Sequence, residues 1–373
     1  MFDLRQIGVD HLKQIKIGIW TTGLGFVALG LILLLSMNGS IPLSTLKYLW
    51  PILLVVFGME AILTRTLRPD AQLRFSGFSI FVIVVVCLIS FAGSAIPRLS
   101  MSPSYLVGVS GHLQVGADVR KVEIRLVDGN VTVQGTASNE ATYTGELRVF
   151  ASSEETAKNE LNAQWKAAVN GDTLVLIQKR QTASPDFGWF LWNAKHPHLE
   201  VQVPNRLLST VQTTNGEVVV THMNADSQAD TSNGAITFDG IHGSVIGSTS
   251  NGGVHARSIQ GAVDLHTSNG NIQIQDVASK VAGRTTNGEV EVESAVLGDW
   301  TLITSNGSIR VQLPKQGNNV RITGDTSNGR VSGNVPWQYS GDDHDHGTAT
   351  LGQGVHTMEL RTSNGSIQVN QGD

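Results

Sequence analysis

Carboxylates and histidines are the side chains in this sequence that could support hydrolysis or metal binding. Cleavage of a polysaccharide needs two carboxylates within several ångströms of each other. Glu217 and Glu289 share one position of a repeated pattern and Asp239 and Glu293 share another, yet each pair lies three or four repeats apart. Histidines 222, 242, 255 and 266 fall at four different repeat positions. We therefore predict no catalytic residue and no cofactor, and keep a polysaccharide-active β-helix enzyme as an alternative.

One run of residues has the composition of a metal site. It comprises Asp342, Asp343, His344, Asp345 and His346. Imidazole and carboxylate ligands suit several divalent ions. Five consecutive residues rarely converge on one ion without a rigid frame, so a solvated loop is the favoured interpretation. No metal is predicted, and these five residues are the only candidates for one.

An aromatic cluster is the candidate for a binding loop. It consists of Phe187, Trp189, Phe190 and Trp192. Aromatic side chains of this kind could contact a membrane surface or a glycan-like ligand. Burial against the first coil of the repeat, as a hydrophobic plug, is the alternative, and the sequence leaves both open.

A tetrapeptide repeat must position these groups. Thr-(Thr/Ser)-Asn-Gly recurs eight times, at intervals of 18, 18, 18, 18, 19, 22 and 36 residues, and the third residue after each Asn is Val or Ile. The eight asparagines are Asn215, Asn233, Asn251, Asn269, Asn287, Asn306, Asn328 and Asn364. Period-two alternation around a β-branched position predicts a short strand.

These features predict an all-β solenoid, a right-handed single-stranded β-helix with about 18 residues per coil. Stacked coils should bring the asparagine side chains into a structural ladder whose amides hydrogen-bond to one another. We expect the glycine of each motif to supply a positive φ at the corner, because glycine adopts that conformation without steric cost.

Charge is distributed unevenly along the 373 residues. Residues 1–97 hold four acidic and seven basic side chains, net +3, whereas residues 98–373 hold 27 acidic and 19 basic, net −8. This balance excludes a strongly basic nucleic-acid binder. The single cysteine, Cys87, has no partner, which excludes a disulfide scaffold.

Three apolar stretches before residue 98 predict a transmembrane anchor. They span residues 17–37, 48–63 and 78–96, lengths close to what a helix needs to cross a bilayer. The first is too long for the apolar core of a cleaved signal peptide and has no A-x-A-like site after it. Glu60 is the one carboxylate within a span; it could make a partner contact, although a snorkelling end residue is favoured because Arg65 lies about one turn away.

Flanking positive charges predict the topology. Six basic residues flank the N-terminus and the second loop, against Lys47 and Arg98 on the other side. We expect a multi-pass cell-membrane protein with a cytoplasmic N-terminus and an extracytoplasmic C-terminal domain. Its partners would be the lipid membrane and a membrane or cell-envelope protein.

Three regions follow from these patterns. Residues 1–97 form the predicted three-span anchor, residues 98–205 a β-rich module with one helix, and residues 206–373 the solenoid. Within the module, residues 122–133 resemble a degenerate first coil, residues 142–150 and 173–179 predict strands, and residues 152–169 predict a helix. Terminal repeats need a cover, which this module could supply.

The motif array after such a module resembles the bacterial putative-adhesin β-strand-repeat family, also called Toastrack domains. Residues 48–63, with Trp50-Pro51 and Phe57-Gly58, are similar to the LiaI/LiaF-like transmembrane region. The resemblance implies a membrane-tethered scaffold or sensor in the cell-envelope stress response rather than an enzyme, with no catalytic residues to carry over. An adhesin-like surface-binding module is the alternative function.

Overall fold

The computed structural model describes residues 15–37, 48–67, 73–75, 77, 81–82, 84, 104–179 and 196–372. The chain divides into two compact units. The first contains the N-terminal helices and the second contains the long sheets, and each is described by itself.

Two helices and two short strands make up the described part of the N-terminal unit. These are β1 (Ile15–Ile17), α1 (Ile19–Met37), α2 (Leu49–Leu67) and β2 (Leu73–Phe75). The strands pair in parallel. The helices pack closely at Gly25, where a Cβ atom would lie 2.9 Å from a methyl carbon of Leu53.

Glu60 joins the two helices. Its carboxylate accepts hydrogen bonds from the backbone N–H groups of Gly18 and Thr21, both at 2.9 Å, and from the Thr21 hydroxyl at 2.5 Å. A carboxylate at the first turn of a helix satisfies N–H groups that have no partner within the helix. Glu60 therefore caps α1. The snorkelling interpretation, in which its side chain would extend away from the helices, is wrong.

No helix among the described residues is both long and apolar enough to cross a membrane. The three predicted spans are therefore not confirmed and stay a prediction. Most of the third, residues 78–96, lies outside the described residues, as does Cys87.

Strands dominate the second unit. They are β3 (Ser104–Gln114), β4 (Lys121–Arg125), β5 (Asn130–Thr136), β6 (Glu140–Phe150), β7 (Trp165–Asn170), β8 (Thr173–Gln178), β9 (His198–Pro204), β10 (Leu208–Gln212), β11 (Val218–Thr221), β12 (Ser227–Thr231), β13 (Ile236–Ile241), β14 (Val245–Thr249), β15 (Val254–Ile259), β16 (Val263–Asn269), β17 (Ile272–Val277), β18 (Val281–Asn287), β19 (Val290–Glu293), β20 (Trp300–Asn306), β21 (Ile309–Leu313), β22 (Val320–Asn328), β23 (Val331–Ser332), β24 (Gln338–Tyr339), β25 (His346–Leu351), β26 (His356–Asn364) and β27 (Ile367–Gln371).

Successive strands alternate between two long sheets. Sheet I holds 13 strands in the order β24-β25-β22-β26-β20-β18-β16-β14-β12-β10-β4-β8-β7. Sheet II holds 12 strands in the order β23-β27-β21-β19-β17-β15-β13-β11-β5-β9-β6-β3. Neighbours in the middle of both sheets are parallel and one 18-residue repeat apart, as Val254 and Ile272 illustrate. The predicted β-repeat is confirmed, while the hand of the coil stays a prediction.

The core lies between the sheets and follows the repeat. The β-branched residue three positions after each asparagine is fully buried in all eight repeats: Val218, Ile236, Val254, Ile272, Val290, Ile309, Val331 and Ile367. Residues predicted to form the second apolar set, such as Ile259, Val263 and Leu265, are buried as well. Each coil alone has too small a core, so stacking supplies the buried area.

Both ends of the stack depart from sequence order. At one end, β8 and β9 lie outside β4 and β5, and β10 and β11 pair with the other edges of β4 and β5. Antiparallel strands then cover the outermost coil, with β7 on β8 and β6 on β9. At the other end, β26 and β27 lie between β20/β21 and β22/β23. Covered ends prevent the edge-to-edge pairing that open sheets invite.

The module before the repeats contains one described helix, α3 (Glu154–Gln164), which is shorter than predicted. Residues 165–170 form β7 instead, because their backbone pairs antiparallel with β8 from Trp165 to Asn170. Sheet pairing here outweighs local helix propensity. The predicted boundary at residue 205 falls between β9 and β10 of one compact unit.

Candidate binding surface

The first threonine of each motif ties a coil to its neighbour. Its hydroxyl donates to the carbonyl oxygen of a glycine one coil away, at 2.8–3.1 Å in all eight repeats. These threonines are buried. A buried hydroxyl must be hydrogen-bonded to avoid a desolvation penalty, so the threonine fixes the vertical register of the stack.

The motif glycine is required by close approach and not by its φ angle. None of the eight glycines that follow the ladder asparagines is among the positive-φ residues. A Cβ atom on any of them would lie 1.8–2.1 Å from a glycine carbonyl oxygen of the adjacent coil, as it would for Gly252 against Gly234. The prediction of a positive φ at this corner is therefore wrong, and the absence of a side chain is what the corner demands.

Positive φ angles occur instead at the next corner of the coil, near the end of the strand that follows the Asn-Gly motif. His222, Gly240, Ser258 and Asp276 have φ angles of 57°, 66°, 54° and 52°. They stand seven residues after four successive ladder asparagines. Only one of the four is glycine, so three residues with a side chain hold the left-handed conformation that was expected of the motif glycine. The available sequence signal was a polar residue or glycine at the seventh position after each of these asparagines.

The structure places the eight ladder asparagines in one exposed row. Seven of the eight donate from Nδ2 to the Oδ1 of the neighbouring asparagine, at 2.7–2.9 Å. Every bond has the same direction. Asn215 contributes only its Oδ1 to this row and Asn328 only its Nδ2, so the row has distinct ends.

Sheet II presents a polar outer face, here called face II. It is formed by two rows of outward side chains at the fourth and sixth positions after the asparagines. The first row is Thr237, His255, Gln273, Glu291, Arg310 and Gln368, and the second is Asp239, Arg257, Gln275, Glu293, Gln312 and Asn370. Parallel pairing spaces the members of a row about 4.8 Å apart. All twelve are polar. Eight are exposed and four are half-buried.

Interactions between neighbouring coils hold face II in place. Arg257 donates to both carboxylate oxygens of Asp239, from Nε at 3.2 Å and from a terminal nitrogen at 2.6 Å. This hydrogen bond lowers the pKa of the Asp239 carboxyl below its ordinary value. The Gln273 and Gln275 amides donate to Glu291 and Glu293 at 3.3 and 3.4 Å. The face is thus pre-arranged for hydrogen bonding, which lowers the entropic cost of binding.

Two shallow depressions lie on face II. One is lined by side chains from β13 to β19 and the other by side chains from β19 to β27. The outer face of sheet I differs, because apolar Leu208 and Ile246 are 40% and 50% exposed there. The sequence did not single out sheet II among the outward strand faces, although the mostly polar residues at the fourth and sixth repeat positions, with Val219 as an apolar exception, could have indicated it.

The predicted metal-like run does not form a ligand set. Tyr339 stacks on His344 with ring centroids 3.9 Å apart, and His346 Nδ1 lies 2.5 Å from Asp325 Oδ1. Asp342, Asp343 and Asp345 are exposed. Within residues that the structure describes, no group of three or more histidine, cysteine or acidic side chains could hold a metal ion.

The remaining predicted groups are spread over the molecule. His255 lies on face II and His266 on the outer face of sheet I, while His222 and His242 stand at corners. Across the described rows of the two outer faces, no carboxylate has another carboxylate at the paired position of an adjacent strand. The aromatic cluster of Phe187, Trp189, Phe190 and Trp192 lies outside the described residues.

Comparison with known families decides the assignment. Residues 119–370 match the model of the family described as Toastrack DUF4097. The chain belongs to the Toastrack family. Residues 20–62 of this Toastrack protein also match the model of the LiaI-LiaF-like transmembrane region. It therefore joins a LiaI-LiaF-like region to a Toastrack domain, as the resemblance of both segments had implied.

Solved structures with some similarity to this Toastrack protein come from bacteria of the genera Bacteroides and Parabacteroides. A "putative adhesin" of Bacteroides fragilis is 13% identical, with a TM-score of 0.40, and the match covers 70% of this chain and 97% of that one. A "putative lipid binding protein" of Parabacteroides distasonis is 14% identical, with a TM-score of 0.40 and coverage of 71% and 97%. These likenesses are too remote to bear on function. No curated protein matches the chain.

Proposed function

We propose that this Toastrack protein is a membrane-anchored, extracytoplasmic scaffold or sensor of cell-envelope stress that binds a partner protein through face II. The observation that carries the proposal is the regular array of twelve polar side chains on one sheet face. The partner is a membrane or cell-envelope protein. No covalent chemistry is part of this function.

The rigidity of the stack supports a binding role. Each coil is fixed to the next by a backbone ladder, a buried threonine hydroxyl and an asparagine amide. Side chains on face II therefore keep a constant spacing without the partner. A partner that meets amide, guanidinium and carboxylate groups at fixed intervals can be recognised by complementary hydrogen bonds and charges.

The sequence of the N-terminal region supports the anchored topology. Its match to the LiaI-LiaF-like transmembrane region is consistent with an anchor within residues 1–97. The imbalance of flanking basic residues favours a cytoplasmic N-terminus and an extracytoplasmic solenoid. Protease added to intact, wall-stripped cells should then digest residues 98–373 and leave the N-terminal region protected. Protection of the whole chain would contradict this topology.

Changing face II tests the function directly. Gln273, Gln275, Gln312 and Gln368 would be replaced together by lysine, and the control would replace Gln228, Ser248, Thr301 and Thr323 on the outer face of sheet I. An envelope-stress reporter should respond normally in the control and lose its response in the face II variant, at equal membrane levels of both proteins. Normal output from both variants would overturn the proposed role of face II.

Single substitutions separate binding from catalysis. Alanine at Glu217, Asp239, His255, Asp264, Asp276 or Glu289 should leave reporter output near normal, because most interface residues contribute little to binding individually. Loss of output from one carboxylate substitution, with the protein folded and abundant, would favour the enzyme alternative. An adhesin-like module would instead show binding to an external surface and no effect on the reporter.

A further inference from the structure

The C-terminal coil occupies a slot inside the stack. It consists of β26 and β27, residues 356–371, and it pairs with β20 and β21 on one side and with β22 and β23 on the other. The coil formed by β22 and β23 comes earlier in the chain yet lies further out. A coil that comes later in the sequence than both of its neighbours is therefore held between them.

The threonine and asparagine hydrogen bonds typical of the repeats are present on both sides of this slot. The Thr362 hydroxyl donates to Gly307 on the inner side at 2.9 Å, and the Thr326 hydroxyl donates to Gly365 on the outer side at 2.8 Å. Asn364 continues the asparagine row from Asn306 to Asn328. All these contacts involve features shared by the repeats, so they require the coil and not its covalent connection to the preceding hairpin.

The connection to this coil is short and confined. Gly352–Val355 joins β25, which lies on the outer edge of β22, to β26 on the inner edge. Four residues thus pass across β22 between positions roughly 9–10 Å apart, two strand spacings. Gly352 and Gly354 have φ angles of 63° and 66°. The Asn319 side chain accepts hydrogen bonds from the backbone of Gln353 and Val355 at 2.8 and 3.1 Å.

We propose that the C-terminal coil exchanges between copies, so that the slot of one chain accepts residues 356–371 of a second chain. The contacts inside the slot are the same in both forms. A short connection favours exchange, because the exchanged coil restores every contact inside the slot. This assembly does not depend on the identity of the partner that binds face II, although the exchanged coil carries Gln368 and Asn370 of that face.

Paired cysteines across the slot test the exchange. Thr301 of β20 and Glu359 of β26 occupy register-matched positions. With Cys87, the chain's one cysteine, replaced by serine, Thr301→Cys and Glu359→Cys would be placed in two differently tagged full-length copies. The copies would be co-expressed and treated with a short thiol crosslinker. We expect a product carrying both tags at about tenfold the yield obtained when Gln228→Cys on β12 replaces Thr301→Cys.

Two further variants make the result decisive. A single chain with both Thr301→Cys and Glu359→Cys should crosslink within itself, which shows that the coil still reaches its slot. Two glycines inserted after Gly352 should lower the two-tag product roughly threefold, because a longer connection favours the closed monomer. The proposal is overturned if the single chain crosslinks and the two-tag product is absent, or if matched and mismatched pairs crosslink equally.

Discussion

Asn364 donates a hydrogen bond from Nδ2 to the Oδ1 of Asn306 at 2.8 Å, although 58 residues separate the two. Asn328, which lies between them in the sequence, is displaced one coil outward and donates to Asn364. Equivalent motifs stack on one another regardless of their order in the chain. The identical motif in each repeat is what permits this, because any coil presents the same threonine, asparagine and glycine to its neighbours.

The direction of the asparagine row predicts unequal effects of aspartate. Asn251→Asp removes the donor to Asn233 and sets a carboxylate against its Oδ1, so we expect a loss of about 1–2 kcal/mol in the free energy of unfolding. Asn215→Asp keeps the acceptor that Asn233 uses and should cost well under half as much. Urea unfolding of the full-length chain in detergent at pH 7 compares the two. Equal destabilisation would contradict the directed row.

Alternation along β17 predicts opposite tolerance of lysine at adjacent positions. Ile272 is fully buried and Gln273 is exposed. Ile272→Lys puts an unpaired charge into the core and should cost several kcal/mol, whereas Gln273→Lys should cost less than about 0.5 kcal/mol. Thermal unfolding of both full-length variants, followed by far-ultraviolet circular dichroism, measures the difference. Coincident melting curves would show that the inward and outward positions are misassigned.

The left-handed corner predicts a stabilising substitution. Asp276 holds a φ of 52°, a conformation that costs a non-glycine residue about 1 kcal/mol. Asp276→Gly should raise the free energy of unfolding by roughly 0.5–1 kcal/mol. Gly240→Ala, at the same corner of an earlier coil, should lower the free energy of unfolding. A Cβ there would meet His222 only at ordinary contact distances of 3.6 and 3.9 Å, so the cost is conformational. Destabilisation by Asp276→Gly would refute the assignment of strain to this corner.

The Asp239–Arg257 pair predicts a small dependence of stability on pH. The Arg257 guanidinium lowers the pKa of the Asp239 carboxyl, so the pair stabilises the fold above the carboxyl's ordinary pKa and loses that effect as pH falls through the lowered value. Arg257→Gln should lower the free energy of unfolding only slightly at pH 7, because an exposed ion pair contributes little. The difference from the unchanged protein should disappear in acid below both values. A difference that persists there would assign the effect to packing.

Much of the fold could be predicted from the repeat. The β-branched residue after each motif identified the core, because period-two alternation places it on the inner face of a strand. The role of Gly252 and its equivalents could not be predicted, since Asn-Gly signals a turn with positive φ whereas here the constraint is a neighbouring coil. Residues 165–170 gave the wrong element because their antiparallel partner, β8, is known only from the fold.

The binding surface was less accessible to prediction than the core. The acidic residues and histidines suggested chemistry, yet face II consists mainly of amides, guanidinium groups and carboxylates, several of which pair with a neighbouring coil. Its coherence depends on which residues face outward on adjacent coils. The order of the terminal coils was equally hidden, because intervals of 22 and 36 residues between motifs do not reveal which coil lies further out.

Site-specific photocrosslinking in intact membranes tests the central claim most directly. A photoreactive amino acid would replace Gln275 on face II in one full-length variant and Asp264 on the outer face of sheet I in another, with equal membrane levels of both. A binding scaffold that uses face II predicts a discrete crosslinked envelope or membrane protein from position 275 and little or none from position 264. Crosslinking from position 264 alone, or none from either position, would contradict it.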